Sequence, residues 1–165
     1  ALTILGGFLR NGFLHRTIRE QGGAYGGGAS QDSNIAAFRF YSYRDPRVAA
    51  TLQDFDAAID WMLNTEHQAE QLEQAILGVI GSLDKPSSPA GEAKQAFHNG
   101  LFDRTPEQRR LFRQRILAVT LDDLKRVTET YLKTDNASVA IVTSPATAAQ
   151  LGNFKTEQGF SEHTV

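Results

Sequence analysis

Ile35-Ala36-Ala37-Phe38-Arg39-Phe40-Tyr41-Ser42-Tyr43 alternates, with Ala37, Arg39, Tyr41 and Tyr43 on one side and Phe38, Phe40 and Ser42 on the other. That is the period-two pattern of a half-buried strand. Just before it, Gln31-Asp32-Ser33-Asn34 carries turn chemistry. Before the turn, Ala24-Tyr25-Gly26-Gly27-Gly28-Ala29-Ser30 is extended and glycine-rich. The economical reading is an antiparallel hairpin of strands 24–30 and 35–43.

Upstream, Leu2, Leu5, Leu9 and Phe13 recur at spacings of three to four, and Leu14 and Ile18 continue the stripe. The spacing predicts a helix over about 2–20. Gly6, Gly7 and Gly12 weaken it by about 1 kcal/mol each relative to Ala, but small residues also admit close packing. Gly22 is a natural stop. Downstream the chain reads as mostly helical. Asp45-Pro46 is an N-cap with Pro at the first helical position, followed by Val48, Leu52, Phe55, Ile59 and Met62. Thr65 with Gln68 predicts a capping box for a helix bearing Leu72, Ile76, Val79 and Leu83. Ser88-Pro89 restarts a helix toward Phe97, Thr105-Pro106 caps another, and Thr120 with Asp123 opens a last long one. Residues 137–143 (ASVAIVT) predict a buried strand, and one short helix is expected after Pro145. The order helix, two strands, several helices, strand has no βαβ alternation. It predicts one domain over 1–165 of α+β class, an antiparallel sheet with helices packed on one face.

The chain has 165 residues, of which 41% are hydrophobic and 22% charged, the balance of an ordinary globular domain. Seventeen Lys and Arg face nineteen Asp and Glu, a net charge of −2. That gives no global attraction for nucleic acid or for an anionic membrane. No run of 18 apolar residues predicts a membrane span. The absence of cysteine removes disulfides, thiolate metal sites and cysteine nucleophiles. It favours a soluble protein of the cytoplasm or an organelle matrix. The first residues enter helical periodicity with neither an initiator Met nor a cap, the expectation for a piece of a longer chain.

His15, His67, His98 and His163 are the only histidines. The nearest approach to a helical zinc motif is His67-Gln68-Ala69-Glu70-Gln71, in which Gln71 occupies the place of the second His of H-x-x-E-H. The expectation is no metal site in this chain, with His67 in the exposed first turn of a helix. The glycine cluster 22–28 lies after a helix and before a strand, the reverse of a phosphate loop, and no Gly-Lys-Ser/Thr follows. It reads either as a bulged strand or as a strand stripped of side chains so that another backbone can approach. Arg19 reads as compensation for a helix C-terminus or as a ligand-facing cation. Tyr25 reads as a half-buried sheet residue or as a functional phenol. Arg104, Arg109, Arg110, Arg113 and Arg115, with Lys125 and Arg126 beyond, are interspersed with acids and read as a solvated or domain-facing surface.

Gly12-Phe13-Leu14-His15-Arg16-Thr17-Ile18-Arg19-Glu20-Gln21-Gly22-Gly23-Ala24-Tyr25-Gly26 resembles the C-terminal half of presequence proteases, members of the pitrilysin/insulinase metallopeptidases. The resemblance continues through Phe40-Tyr41-Ser42-Tyr43-Arg44-Asp45-Pro46-Arg47, Leu83-Asp84-Lys85-Pro86-Ser87-Ser88-Pro89 and the Ile116–Thr120 stretch. It implies a metallopeptidase half-domain truncated at its N-terminus. Its partners would be unstructured peptides and the N-terminal half of the same chain, which holds the zinc. By position in the motif, Arg19 and Tyr25 are implied to reach the substrate, and Gly22, Gly23, Ala24 and Gly26 to form the peptide floor. Hydrolysis of a peptide bond builds charge on the carbonyl oxygen, which a phenol O–H can stabilise. A guanidinium offers a fork of donors to carbonyls or carboxylates. The fragment alone is expected to be inactive and, lacking upstream strands, to self-associate. A non-catalytic structural subunit and a stand-alone peptide-binding module are the alternatives.

Overall fold

A computed structural model describes residues 1–133, 137–157 and 159–163. Helix α1 (Leu2–Leu9) runs on into a π-wound segment (Arg10–Gln21), so the predicted helix is present but its second part is wound more widely. Ile4, Leu5, Phe8, Leu9, Leu14 and Ile18 lie buried along it. Its glycines explain how it sits. A Cβ on Gly6 would lie 3.0 Å from Ala29 O and Ser30 Cα, so α1 packs directly on strand backbone. A Cβ on Gly12 would lie 2.4 Å from Trp61 Cη2, so the indole occupies that space. Phe8 and Phe13 flank the same indole, with ring centroids at 5.6 and 5.7 Å.

Strands β1 (Gly26–Asp32) and β2 (Ala37–Tyr43) form the antiparallel hairpin, in register from Gly26 opposite Tyr43 to Asp32 opposite Ala37. The turn lies at 33–36, two residues later than expected. Asp32 explains the shift: its Oδ1 accepts from Asn34 N at 3.0 Å while its Oδ2 pairs with Arg39 across the strands at 3.2 Å. The alternation holds as read. Phe38 and Phe40 point inward, Phe40 meeting Phe55 of the following helix at 5.3 Å, whereas Arg39, Tyr41 and Tyr43 are exposed.

The described residues then form the helices α2 (Val48–Asn64), α3 (Ala69–Leu83), α4 (Pro89–Leu101), α5 (Pro106–Leu117), α6 (Leu121–Tyr131), α7 (Pro145–Gln150) and α8 (Gly152–Glu157). Ser88, Thr105 and Thr120 cap α4, α5 and α6 through their hydroxyls as predicted. Two starts are corrected. Arg47, not Asp45, holds the cap position of α2, because its backbone (φ −123, ψ 55) is not helical. Asp45 instead accepts from Arg47 N at 2.8 Å, from Thr51 Oγ1 at 2.6 Å and from Ser42 Oγ. The capping box of α3 is Gln68 with Gln71, not Thr65 with Gln68. Thr65 N still donates to Trp61 O at 3.1 Å, which ends α2, and α3 cannot start until that turn is closed.

The strand expected over 137–143 is not formed. Neither hairpin strand pairs with it, and among the described residues β1 and β2 make the only sheet. Val139 and Val142 are exposed there. A strand's amides and carbonyls need a neighbouring edge, and among the described residues none pairs with this stretch. Among the described residues from Pro145 on there are two short helices, not one. The class is α+β: a mostly helical domain with one small antiparallel sheet, whose core runs between α1, the π segment, the hairpin, α2, α3 and α6. No described helix is long and apolar enough to cross a membrane.

Candidate functional site

The residues from Arg19 to Tyr25 form a short link between the π segment and β1, and hydrogen bonds hold it at each step. Gly23 N donates to Arg19 O at 3.1 Å, and Ala24 N donates to Ile18 O at 3.1 Å. Tyr25 N reaches Arg44 O, on the far side of the hairpin, at 3.4 Å. Gly23 takes a left-handed backbone (φ 78), which turns the chain out of the helix without the Cβ penalty another residue would meet. Arg44 also lies in the left-handed region (φ 50). For a residue with a Cβ that costs on the order of 1–2 kcal/mol, so the surrounding bonds must hold it there.

Within this link Ala24 and Gly22 are buried, whereas Gly23 and Tyr25 face solvent and Gly26 is partly exposed. Arg19 is exposed near the end of the π segment. Its Nη1 lies 3.4 Å from His15 Nε2, and His15 Nδ1 lies 3.3 Å from Glu20 Oε1. The second spacing, five residues, suits π winding, where groups five apart come together. Tyr25 is 69% exposed rather than half-buried on the sheet. Its ring meets Tyr43 edge-on at 6.1 Å. The Arg44 guanidinium lies 5.8 Å from the Tyr25 ring centre and 5.3 Å from that of Tyr43. The phenol is therefore supported from the side and open at its end.

Beneath the link lies Arg47, whose role the sequence did not announce. Its Nε donates to Gly22 O at 3.1 Å. Its Nη2 donates to Thr17 O at 3.1 Å and to Asp54 Oδ2 at 3.0 Å. The adjoining Asp45 carboxyl is pushed up by burial, but the bonds from Ser42, Thr51 and Arg47 N, with the Arg47 charge, outweigh that and hold it below the usual range.

His67 departs from its expected place. It is buried between α2 and α3, with its ring 4.4 Å from that of Trp61 and 5.2 Å from that of Phe8. Its Nε2 donates to Met62 O at 3.1 Å, and among the described residues its buried Nδ1 has no hydrogen-bond partner. Glu70 is exposed in the first turn of α3. Among the described residues no three His, Cys, Asp or Glu could together hold a metal ion. Much of the arginine run is paired within the domain: Arg110 with Glu107 and Arg126 with Asp123 three residues away, Arg113 with Asp84 and Arg104 with Asn34 across the fold.

Residues 1–145 match the family described as the PreP C-terminal domain. The chain belongs to this family. Its relatives include a mitochondrial presequence protease of Kluyveromyces lactis, 41% identical over 142 residues, or 86% of this chain and 14% of that protein. The mitochondrial presequence protease of Mus musculus is 38% identical over 132 residues, 80% of this chain and 12% of the relative. That of Saccharomyces cerevisiae is 39% identical over 133 residues, 80% and 13% respectively. The chain thus spans a small fraction of the length of these relatives.

Proposed function

We propose that this chain is the substrate-facing part of the C-terminal half of a zinc metalloendopeptidase that degrades unstructured peptides. In this reading it is a half-domain of the pitrilysin/insulinase type. It closes as one shell of a clamshell over an N-terminal half that carries the zinc, and by itself it cleaves nothing. The mitochondrial relatives support an organelle as its compartment.

One observation carries the reading: Arg19 and Tyr25 are exposed at the two ends of a link that is held by backbone hydrogen bonds and anchored on buried Gly22 and Ala24. A peptide laid across the link meets a phenol O–H at one end and a guanidinium at the other. Gly23 and Gly26 leave the floor low, and Gly22 and Ala24 beneath them fix its course. Tyr25 O–H donates to the carbonyl oxygen on which charge develops, or to its neighbour. Arg19 holds the peptide backbone or an acidic side chain.

The test is Tyr25→Phe in the full-length protease. Only the hydroxyl is lost, and the ring contact with Tyr43 remains. Loss of a donor to a developing oxyanion costs on the order of 2–4 kcal/mol, roughly thirtyfold to several hundredfold in kcat, with KM nearly unchanged. A kcat within about twofold of wild type removes the hydroxyl from the mechanism. Arg19→Lys is expected to recover only part of the loss caused by Arg19→Ala, because an ammonium lacks the planar fork.

A further inference from the structure

We infer that Arg47 is the positioning residue that sets Arg19 and Tyr25 relative to each other. The inference rests on the proposed peptide-contact role of those two residues.

At the end of a helix the last carbonyls have no amide partners of their own. Here the chain answers two of them from within: Ile18 O accepts from Ala24 N, and Arg19 O accepts from Gly23 N. Thr17 O and Gly22 O, which bracket Arg19, are answered by the Arg47 guanidinium. One planar group thus spans both sides of the residue that presents the cation, and its remaining contact, Asp54, anchors it to α2. The same short segment grips the other end of the link, because Arg44 O accepts from Tyr25 N. Arg44 to Arg47 therefore hold the link at residues 17, 22 and 25.

The fit is specific in shape. A Cβ built on Gly22 would lie 2.0 Å from Arg47 Nη2 and 2.6 Å from Cζ. Gly22 has an ordinary helical backbone (φ −83, ψ −21), so glycine is needed there for the space that the guanidinium and the Ile18 carbonyl, 2.4 Å from the same Cβ, fill, not for its torsion. Arg47 is itself fixed by Asp45, which accepts from its backbone N at 2.8 Å. A lysine would supply one point of charge and could not bridge two carbonyls and a carboxylate in one plane. The Arg47 guanidinium is taken up by Gly22 O, Thr17 O and Asp54, so it acts through the link.

The experiment uses the full-length protease with Arg47→Met, which keeps much of the stem and removes the donors, Arg47→Lys, and the milder Asp54→Asn. Each is made with Tyr25 intact and with Tyr25→Phe. Kinetics are read alongside hydrogen exchange of the peptide covering 17–26. Arg47→Met is expected to lower kcat about tenfold or more, since small misplacement of a contact group is costly in rate. It is also expected to speed exchange in 17–26, and Arg47→Lys should restore neither fully. In the Tyr25→Phe background the same change should cost clearly less than in the parent, because one of the two groups it positions is already silent. Asp54→Asn should move both readouts the same way by less, which covers the case in which Arg47→Met does not fold. An equal loss of kcat in both backgrounds, or unchanged exchange over 17–26, overturns the inference while the Tyr25 reading stands. If Tyr25→Phe is silent and Arg47→Met still loosens 17–26, the proposed function falls, and with it the catalytic purpose assigned to Arg47.

Discussion

Gly22→Ala separates a spatial requirement from a conformational one. Its backbone lies where alanine is at home. On that ground alone the change would stabilise the chain by about 0.4–1 kcal/mol, by narrowing the unfolded ensemble. The new methyl, however, would lie 2.0 Å from Arg47 Nη2 and 2.4 Å from Ile18 O. The arginine can swing away, but the carbonyl belongs to the helix and can yield only if the π segment shifts. Withdrawal of the guanidinium breaks two charge-assisted bonds to carbonyls, each worth on the order of 1.5–3 kcal/mol. It also breaks a partly exposed ion pair with Asp54 that adds at most about 1 kcal/mol. Water can re-solvate part of this half-buried site, so a net loss of about 2–4 kcal/mol is expected. For a chain of this size that is a fall in melting temperature of roughly 5–15 °C. Gly26→Ala is the control: a Cβ there meets nothing within 4 Å, and the backbone is ordinary strand. It should leave the melting temperature unchanged or raise it slightly. Thermal melts followed by far-UV circular dichroism compare the two variants. A Gly22→Ala melt within 1–2 °C of the parent, or equal falls for both variants, would refute the reasoning.

Acid should weaken the fold partly through Asp45. Its folded pKa is depressed. Its contribution is therefore present above the unfolded value near pH 4 and is lost as pH falls through the folded value. The gap between the urea midpoints of the parent and Asp45→Asn should narrow steadily as pH falls below about 4; a gap that stays constant as pH falls counts against this assignment. The chain is expected to hold no stoichiometric zinc after dialysis, since His67 Nε2 already serves Met62 O; one tightly bound zinc lost on His67→Ala would show otherwise. Self-association is expected, because Phe97, Leu101 and Phe102 stand together exposed at the end of α4. Sedimentation of the parent against Phe97→Glu/Leu101→Glu tests it, and a stable monomer at high concentration for both removes the prediction.

What could be read in advance follows from the range of the forces involved. Alternation in 35–43 and the stripe from Leu2 to Ile18 are local and dense, and each survived contact with the structure to within a few residues. Caps at Ser88, Thr105 and Thr120 depend on three neighbouring residues, and they too were legible. Residues 137–143 show the limit of such reading. Their composition suits a strand, but a strand exists only beside another edge, and composition cannot supply the edge. His67 shows another limit, because its burial depends on Trp61 and Phe8 closing over it from two different elements. Arg19 and Tyr25 stood out by resemblance, not by spacing. The group beneath them, Arg47, had no local signature at all. It lies 25 residues beyond Gly22 and 30 beyond Thr17, the residues whose carbonyls it binds, and no helical or strand period connects those positions. A glycine at 22 is the sequence trace of that contact, and from sequence alone it was indistinguishable from a helix stop. The two readings differ physically: a helix stop tolerates whatever the torsion tolerates, whereas a packing glycine rejects any Cβ regardless of torsion. The ordinary φ at Gly22, beside the left-handed φ at Gly23, places the space requirement on the first glycine and the conformational one on the second.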